Sequence, residues 1–123
     1  MEKALKFREW IDSQGTLVLA GRNSENNEEL IAQVAPYEYV LHTSAPGSPF
    51  VNIKKKNPTK EDIRDAALFC AKHSQDWRDN KNNVRIHVFQ GKDIEKKSGM
   101  KQGTFSVKKF SEITAKKKDI MII

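Results

Sequence analysis

Cysteine is almost absent from this chain: Cys70 is the only one in 123 residues. No internal disulfide can form, which suits a reducing compartment and sets the expectation of a cytoplasmic protein. No apolar run approaches the ~18 residues of a membrane helix, and no charged-then-apolar leader opens the chain, so no membrane association is expected. The signatures of common catalytic sites are missing too. There is no phosphate-binding P-loop, no Gly-x-Gly-x-x-Gly and no nucleophile elbow. His73 and His87 have no Cys, Asp or Glu at metal-ligand spacing, and Cys70 falls on the apolar face of a helix, where thiols are inert packing. Asp62 with Asp65, and Asp76 with Asp79, stand three apart, as on any solvated helix face. These absences argue against an enzyme, and no metal or cofactor is expected.

What is present is charge, unevenly spread. The chain carries 22 Lys and Arg against 16 Asp and Glu, a net of +6. Residues 1–80 hold 11 basic and 12 acidic side chains, whereas residues 81–123 hold 11 and 4. A basic final third on a near-neutral body reads as a directed electrostatic surface. The apolar fraction, 37%, comes in periodic groups, and a chain of this length buries roughly two-thirds of its unfolded surface. One folded domain over 1–115 is expected, followed by a basic then apolar tail at 116–123.

Local patterns give the elements. Phe7, Trp10 and Ile11 mark an edge strand in 6–12, and Thr16–Ala20 a second strand after the Ser13-Gln14-Gly15 turn. Ser24 is positioned as the N-cap of a helix from Glu25 to about Ala35, ended by Pro36. Tyr37–His42 and Phe50–Ile53 read as strands joined by Pro46-Gly47-Ser48-Pro49. Thr59 and Asp62 resemble a capping box. They open the clearest helix, on which Ile63, Ala66, Ala67, Cys70, Ala71 and Ser74 form one small-residue face. Val84–Phe89 alternates as a strand, 91–103 reads as a glycine- and lysine-rich loop, and Thr104–Val107 and Phe110–Thr114 are short final strands. The order ββαββαβ, with small C-terminal β elements, predicts an α+β fold with a mixed or antiparallel sheet and two principal helices.

The candidate site begins at Arg22. An arginine at a strand-to-helix junction carries a permanent forked charge beside free helix N–H groups, which suits an anion; the competing expectation is a salt bridge to Glu25 or another acid. Asn27 and His42 stand at the same edge of the sheet, and the Gly47-Ser48 turn has N–H groups to offer. Lys54, Lys55 and Lys56, with Lys92, Lys96, Lys97 and Lys101, would extend one basic face around them. Lys116–Lys118 reads as a frayed tail. Trp10, Phe50, Trp77 and Phe105 are expected in the core rather than stacked on bases.

The ordered set Trp10, Ser13, Gly15, Gly21-Arg22, Asn27-Glu28, His42, Gly47-Ser48, Ala66-Ala67, Ser74, Lys92, Lys96-Lys97, Gly99, Lys101 and Gly103 resembles the NFACT-R domain, over residues 6–113. Asn23 and Glu38 depart from the pattern, standing where many members carry an acid and an Asp. The resemblance implies an RNA-binding module of proteins that act on obstructed large ribosomal subunits, here expected as a stand-alone domain. It implies tRNA or ribosomal RNA as partner, bound through phosphates, in translation or ribosome quality control. The alternative class is a protein-interaction accessory docking on a ribosomal or translation-quality factor, through its basic loop or by pairing a peptide with an exposed edge strand. Charge alone also leaves DNA open.

Overall fold

Unbroken apolar runs such as Leu17–Ala20 call for a sheet with two apolar faces. A computed structural model, which describes residues 7–123, has that sheet. Its strands are β1 (Arg8–Ile11), β2 (Leu17–Ala20), β3 (Tyr39–Thr43), β4 (Val51–Ile53), β5 (Val84–Gln90) and β8 (Ser111–Ala115). Between the last two, β6 (Ile94–Glu95) and β7 (Ser106–Val107) form a separate ribbon. The order across the main sheet is β1-β2-β4-β3-β5-β8, and every neighbouring pair is antiparallel. The helices are α1 (Ser24–Ala32), α2 (Lys60–Lys72), α3 (Gln75–Asn80) and α4 (Lys117–Ile120). The expected α+β class holds, and the first strand is an edge strand as expected; Lys6, where that strand was expected to begin, lies outside the described residues.

Each face takes one principal helix. Val18, Ala20, Leu41, Val51, Ile53, Val84, Ile86 and Val88 point to one side and pack with Ala66, Ala67, Cys70 and Ala71 of α2. Small side chains on α2 let its backbone lie close to the strands, so burial is dense without large residues. Leu19, Val40, Phe50 and Phe89 point to the other side and pack with Leu30 of α1. Ile94, Phe105 and Val107 of the ribbon region cover that second cluster. Helix α2 starts on a full capping box: Thr59 accepts from the Asp62 N–H and the Asp62 carboxylate accepts from the Thr59 N–H.

Three expectations are corrected by geometry. The N-cap of α1 is Asn23, extended at φ −159°, whose side chain accepts from the Asn26 N–H at 2.8 Å. Ser24 is the first helical residue, and the helix closes at Ala32, where the Gln33 N–H turns back to Leu30 and Ile31. The span 91–103 is not all loop: it opens with a 3₁₀ turn at Gly91–Asp93 and then β6, paired Ile94 to Val107. Lys116–Lys118 is not a frayed tail: Lys116 caps, and Lys117 and Lys118 open, a short helix. This is α4, and its Ile120 is fully buried in the cluster under α2, a contribution of about 1.5–3 kcal/mol.

Candidate nucleic-acid interface

The site is built where β2 stops. The Gly21 N–H donates to the Phe50 carbonyl at 3.1 Å. The Asn27 side chain accepts from the Phe50 N–H at 3.3 Å. Gly21 is glycine by necessity, because a Cβ there would collide with the Asn27 amide. The next N–H, of Arg22, donates to Asn26 Oδ1 at 2.9 Å. Backbone and helix start are thereby locked while the Arg22 side chain stays exposed. The expected salt bridge to Glu25 does not form; among the described residues the Arg22 guanidinium has no acidic partner.

The connection from β3 to β4 forms the facing wall. Gly47 lies in the left-handed region at φ +90°, its carbonyl accepts from the Gln75 N–H at 2.8 Å, and a Cβ would stand 2.7 Å from Gln75 Cβ. Ser48 Oγ accepts from the Thr43 N–H at 3.1 Å and donates to the Pro49 carbonyl at 3.1 Å. These side chains brace the turn. The peptide N–H groups of Gly47 and Ser48 donate to nothing among the described residues.

Between the walls runs a cleft of about 820 Å³. Arg8, Arg22 and Arg78 line it together with all three histidines, His42, His73 and His87, and among the described residues the lining contains no Asp or Glu. Arg8 Nη1 and His73 Nδ1 are 2.9 Å apart, and Arg78 donates to Gln75 Oε1 at 2.9 Å. His42 and His87 are directly opposed in register on β3 and β5. His42 Nδ1 lies 2.7 Å from the Thr43 carbonyl, which only accepts, so Nδ1 carries the proton and Nε2 is left as an acceptor in the neutral ring. Burial pushes the His42 pKa down, His87 adding to the effect. Burial also lowers that of His73, with help from the Arg8, Lys72 and Arg78 charges. Arginines therefore supply the permanent positive charge, and these two histidines are held neutral until an anion or acid favours their charged form.

The expected residues divide sharply. Arg22, His42, Gly47 and Ser48 border the cleft, as does Asn27, whose buried amide is committed to the scaffold. Lys54, Lys55 and Lys56 do not: Ala20 pairs with Val51 but Val18 with Ile53, so these lysines leave the opposite end of the sheet. Lys54 is paired with Glu38 at 2.7 Å and with Gln33 at 3.0 Å, Lys55 with the buried Asp62 at 3.1 Å, and Lys56 lies over the Tyr37 ring. Lys92 is exposed at that same far end, its N–H on the Pro36 carbonyl. Lys96 is spent internally, its ammonium reaching Glu28 at 2.6 Å and the Lys101 and Thr104 carbonyls at 2.5 and 2.8 Å. Three donors meet three acceptors, so none remains for a phosphate. That contact, with the Gly103 N–H on the same carboxylate, holds the Glu28 pKa down and ties the 96–104 loop to α1. Lys97 and Lys101 are exposed on this loop, whose Gln102–Phe105 stretch forms a wall of the cleft.

Arg8, His73, Arg78 and Phe110 also line the cleft, though no local pattern marked them as site residues. Arg8 and His73 are 65 residues apart in sequence, and only the packing of β1 beside the end of α2 joins them. Elsewhere, burial pushes the Cys70 thiol up to about 12, as its helix face implied. Among the described residues no group of three His, Cys, Asp or Glu could hold a metal ion, and no helix is long and apolar enough to cross a membrane.

Comparison with solved structures places the fold beside the C-terminal part of the fibronectin/fibrinogen-binding protein from Streptococcus suis, with TM-score 0.84 and 23% identity. The match covers 99% of this chain and 50% of that one, so the chain spans half the length of that relative. No match was found among curated protein sequences. A family model described as the NFACT protein RNA-binding domain matches residues 6–109. That match takes in the Gly21-Arg22 junction, the β3–β4 turn and the 96–104 strap, and the chain belongs to the NFACT protein RNA-binding domain family.

Proposed function

We propose that this chain binds RNA through the cleft at the β2 end of the sheet, with tRNA or ribosomal RNA as the target. The single observation that carries the reading is a concave site lined, among the described residues, by three arginines, three histidines and no carboxylate. The three arginines concentrate positive potential there, which suits a polyanion more than a neutral ligand. Arg22 is the anchor, free of acidic partners beside the N-terminus of α1, and Arg8 and Arg78 provide the second and third phosphate contacts. The turn amides of Gly47 and Ser48 add donors without charge. Lys97 and Lys101 widen the field on one flank. Family membership supports RNA over DNA, and a cytoplasmic role in translation or ribosome quality control accords with it.

A second reading, docking on a ribosomal or translation-quality protein, draws on β1, an edge strand with Ile11 exposed. Fluorescence anisotropy with tRNA, an unstructured RNA and duplex DNA at about 50 and 200 mM salt separates the two readings. Each phosphate neutralised steepens the slope of log affinity against log salt by about 0.7–0.9. Tight, salt-steep binding that prefers tRNA supports the RNA module. No binding to any nucleic acid at low salt overturns it and leaves the protein partner.

A further inference from the structure

We infer that the cleft takes an unpaired stretch of RNA, with one base stacked on Phe110, an inference that rests on the RNA-binding reading. Six large apolar side chains are strongly exposed among the described residues, and Phe110, half exposed, is the one that borders the cleft. It is not loose. Its ring lies against His87 at 4.1 Å between centroids and 25° between planes. His87 is itself held, with Nε2 at 3.2 Å from Glu112 Oε2 and its backbone in the centre of β5. An apolar ring fixed on one face and open to solvent is a ready stacking platform, since every base offers a π-face and ordering the ring has already been done.

The surroundings fit a splayed nucleotide rather than a duplex. The cleft volume, about 820 Å³, falls within the roughly 300–1,000 Å³ of sites that engulf a small molecule. Between its ends a duplex keeps its bases paired and stacked inside and presents only backbone and groove edges, so its interior brings no base face to Phe110. Single-stranded loops and ends can splay a base out. Arg8, Arg22 and Arg78 line the same cleft and take the phosphates that flank such a base, and the half-buried Phe105 gives the opposite wall apolar character.

The test uses the full chain with three labelled RNAs: a single-stranded octamer, the same sequence in a duplex whose ends are closed by non-nucleotide linkers, and the octamer with an abasic centre. The single strand is expected to bind at least about tenfold more tightly than the duplex, and the abasic strand more weakly than the intact one. Phe110→Ala and Phe110→Leu should both weaken single-strand binding by about five- to a hundredfold, while Phe110→Trp restores it. Duplex affinity and the salt slope should stay unchanged in all three variants, and their thermal melting checks that they fold. Equal affinity for single strand and duplex, with no effect of Phe110→Ala, overturns the stacking inference but leaves RNA binding intact. Failure of the single strand to bind while tRNA binds overturns the stacking inference alone; failure of tRNA as well overturns RNA binding itself, and the stacking inference with it.

Discussion

The Asn27 side chain reaches across Gly21 to accept the Phe50 N–H at 3.3 Å, so one buried amide joins helix α1, the end of β2 and the start of β4. Arg22 is carried on this joint. Gly21→Ala forces a methyl group into the amide and is expected to lower stability by about 1–3 kcal/mol. Asn27→Ala strands the Phe50 N–H in the interior at a similar cost. Chemical denaturation of both variants is the check: unchanged midpoints would mean that the joint does not hold the site.

Arg22→Ala should behave in the opposite way. An exposed guanidinium without an acidic partner is worth little to folding, so stability should stay within about 0.5 kcal/mol. Affinity for RNA should fall, and the salt slope should shrink by about 0.7–0.9. A melting loss with unchanged binding would reassign Arg22 to the scaffold.

Lys54→Ala provides the complementary control. It leaves Glu38 buried without its partner, at a cost of about 1–3 kcal/mol, yet should not change RNA affinity in the folded fraction. Lys96→Ala should release the 96–104 loop from Glu28. Proteolysis within that loop, compared between variant and parent, reads this out.

Acid should move binding and stability in opposite directions. His42 and His73 have folded pKa values below their unfolded ones, both chiefly from burial. Their contribution to stability is present while both are neutral, and is lost as pH falls through the unfolded value of about 6.5 toward the folded ones. The groups facing them are His87 and Phe50 around His42, and Arg8, Lys72, Arg78 and Phe69 around His73. Among the described residues no carboxylate stands there, so on the RNA-binding reading a bound phosphate would be the partner that makes protonation favourable. Between pH 7.5 and 5.5, RNA affinity should rise while the melting temperature of the free protein falls. Affinity flat across that range in His42→Gln, but not in the parent, would locate the effect.

Asp12 and Asp62 form a second titrating pair away from the cleft. Asp12 Oδ2 and Asp62 Oδ1 are buried without a hydrogen-bond partner among the described residues, and the two carboxyls interact. Burial and the Asp62 contact raise the Asp12 pKa. Asp62 stays ionised against its burial, held low by Asp12, the Thr59 N–H and Lys55. The Asp62 contribution to stability is present above the unfolded carboxyl pKa and lost as pH falls below it. That of Asp12 is present in acid and lost as pH rises through its raised folded value. Asp12→Asn, which keeps a donor toward Asp62, should therefore flatten the loss of stability as pH rises above the ordinary carboxyl range. A pH series of denaturation midpoints checks this, with Asp62→Asn expected to be destabilising throughout.

How much of this was legible depended on range. The small-residue face of α2, the Thr59–Asp62 box and the edge position of Trp10 and Ile11 follow from patterns within one or two turns of chain, and they were readable. Arg22 was readable because its chemistry and its junction are adjacent in sequence. The lysines misled, since a count of charges does not show which acids fold against them; Glu38, Asp62 and Glu28 take up Lys54, Lys55 and Lys96. Ile120 was hidden behind three lysines, and only the gap beneath α2 explains it. Arg8, Arg78 and Phe110 needed the sheet order before they could belong to one site.

That order has a mechanical consequence. Arg8 sits on β1 and Phe110 leads into β8, the two outermost strands, so the cleft runs the full width of the sheet. Six strands at about 4.8 Å spacing put roughly 24 Å between those edges. A ligand lying along that span is a clasp between the two margins where fraying starts. Occupancy should slow backbone amide exchange in β1 and β8 together, although the two strands never touch.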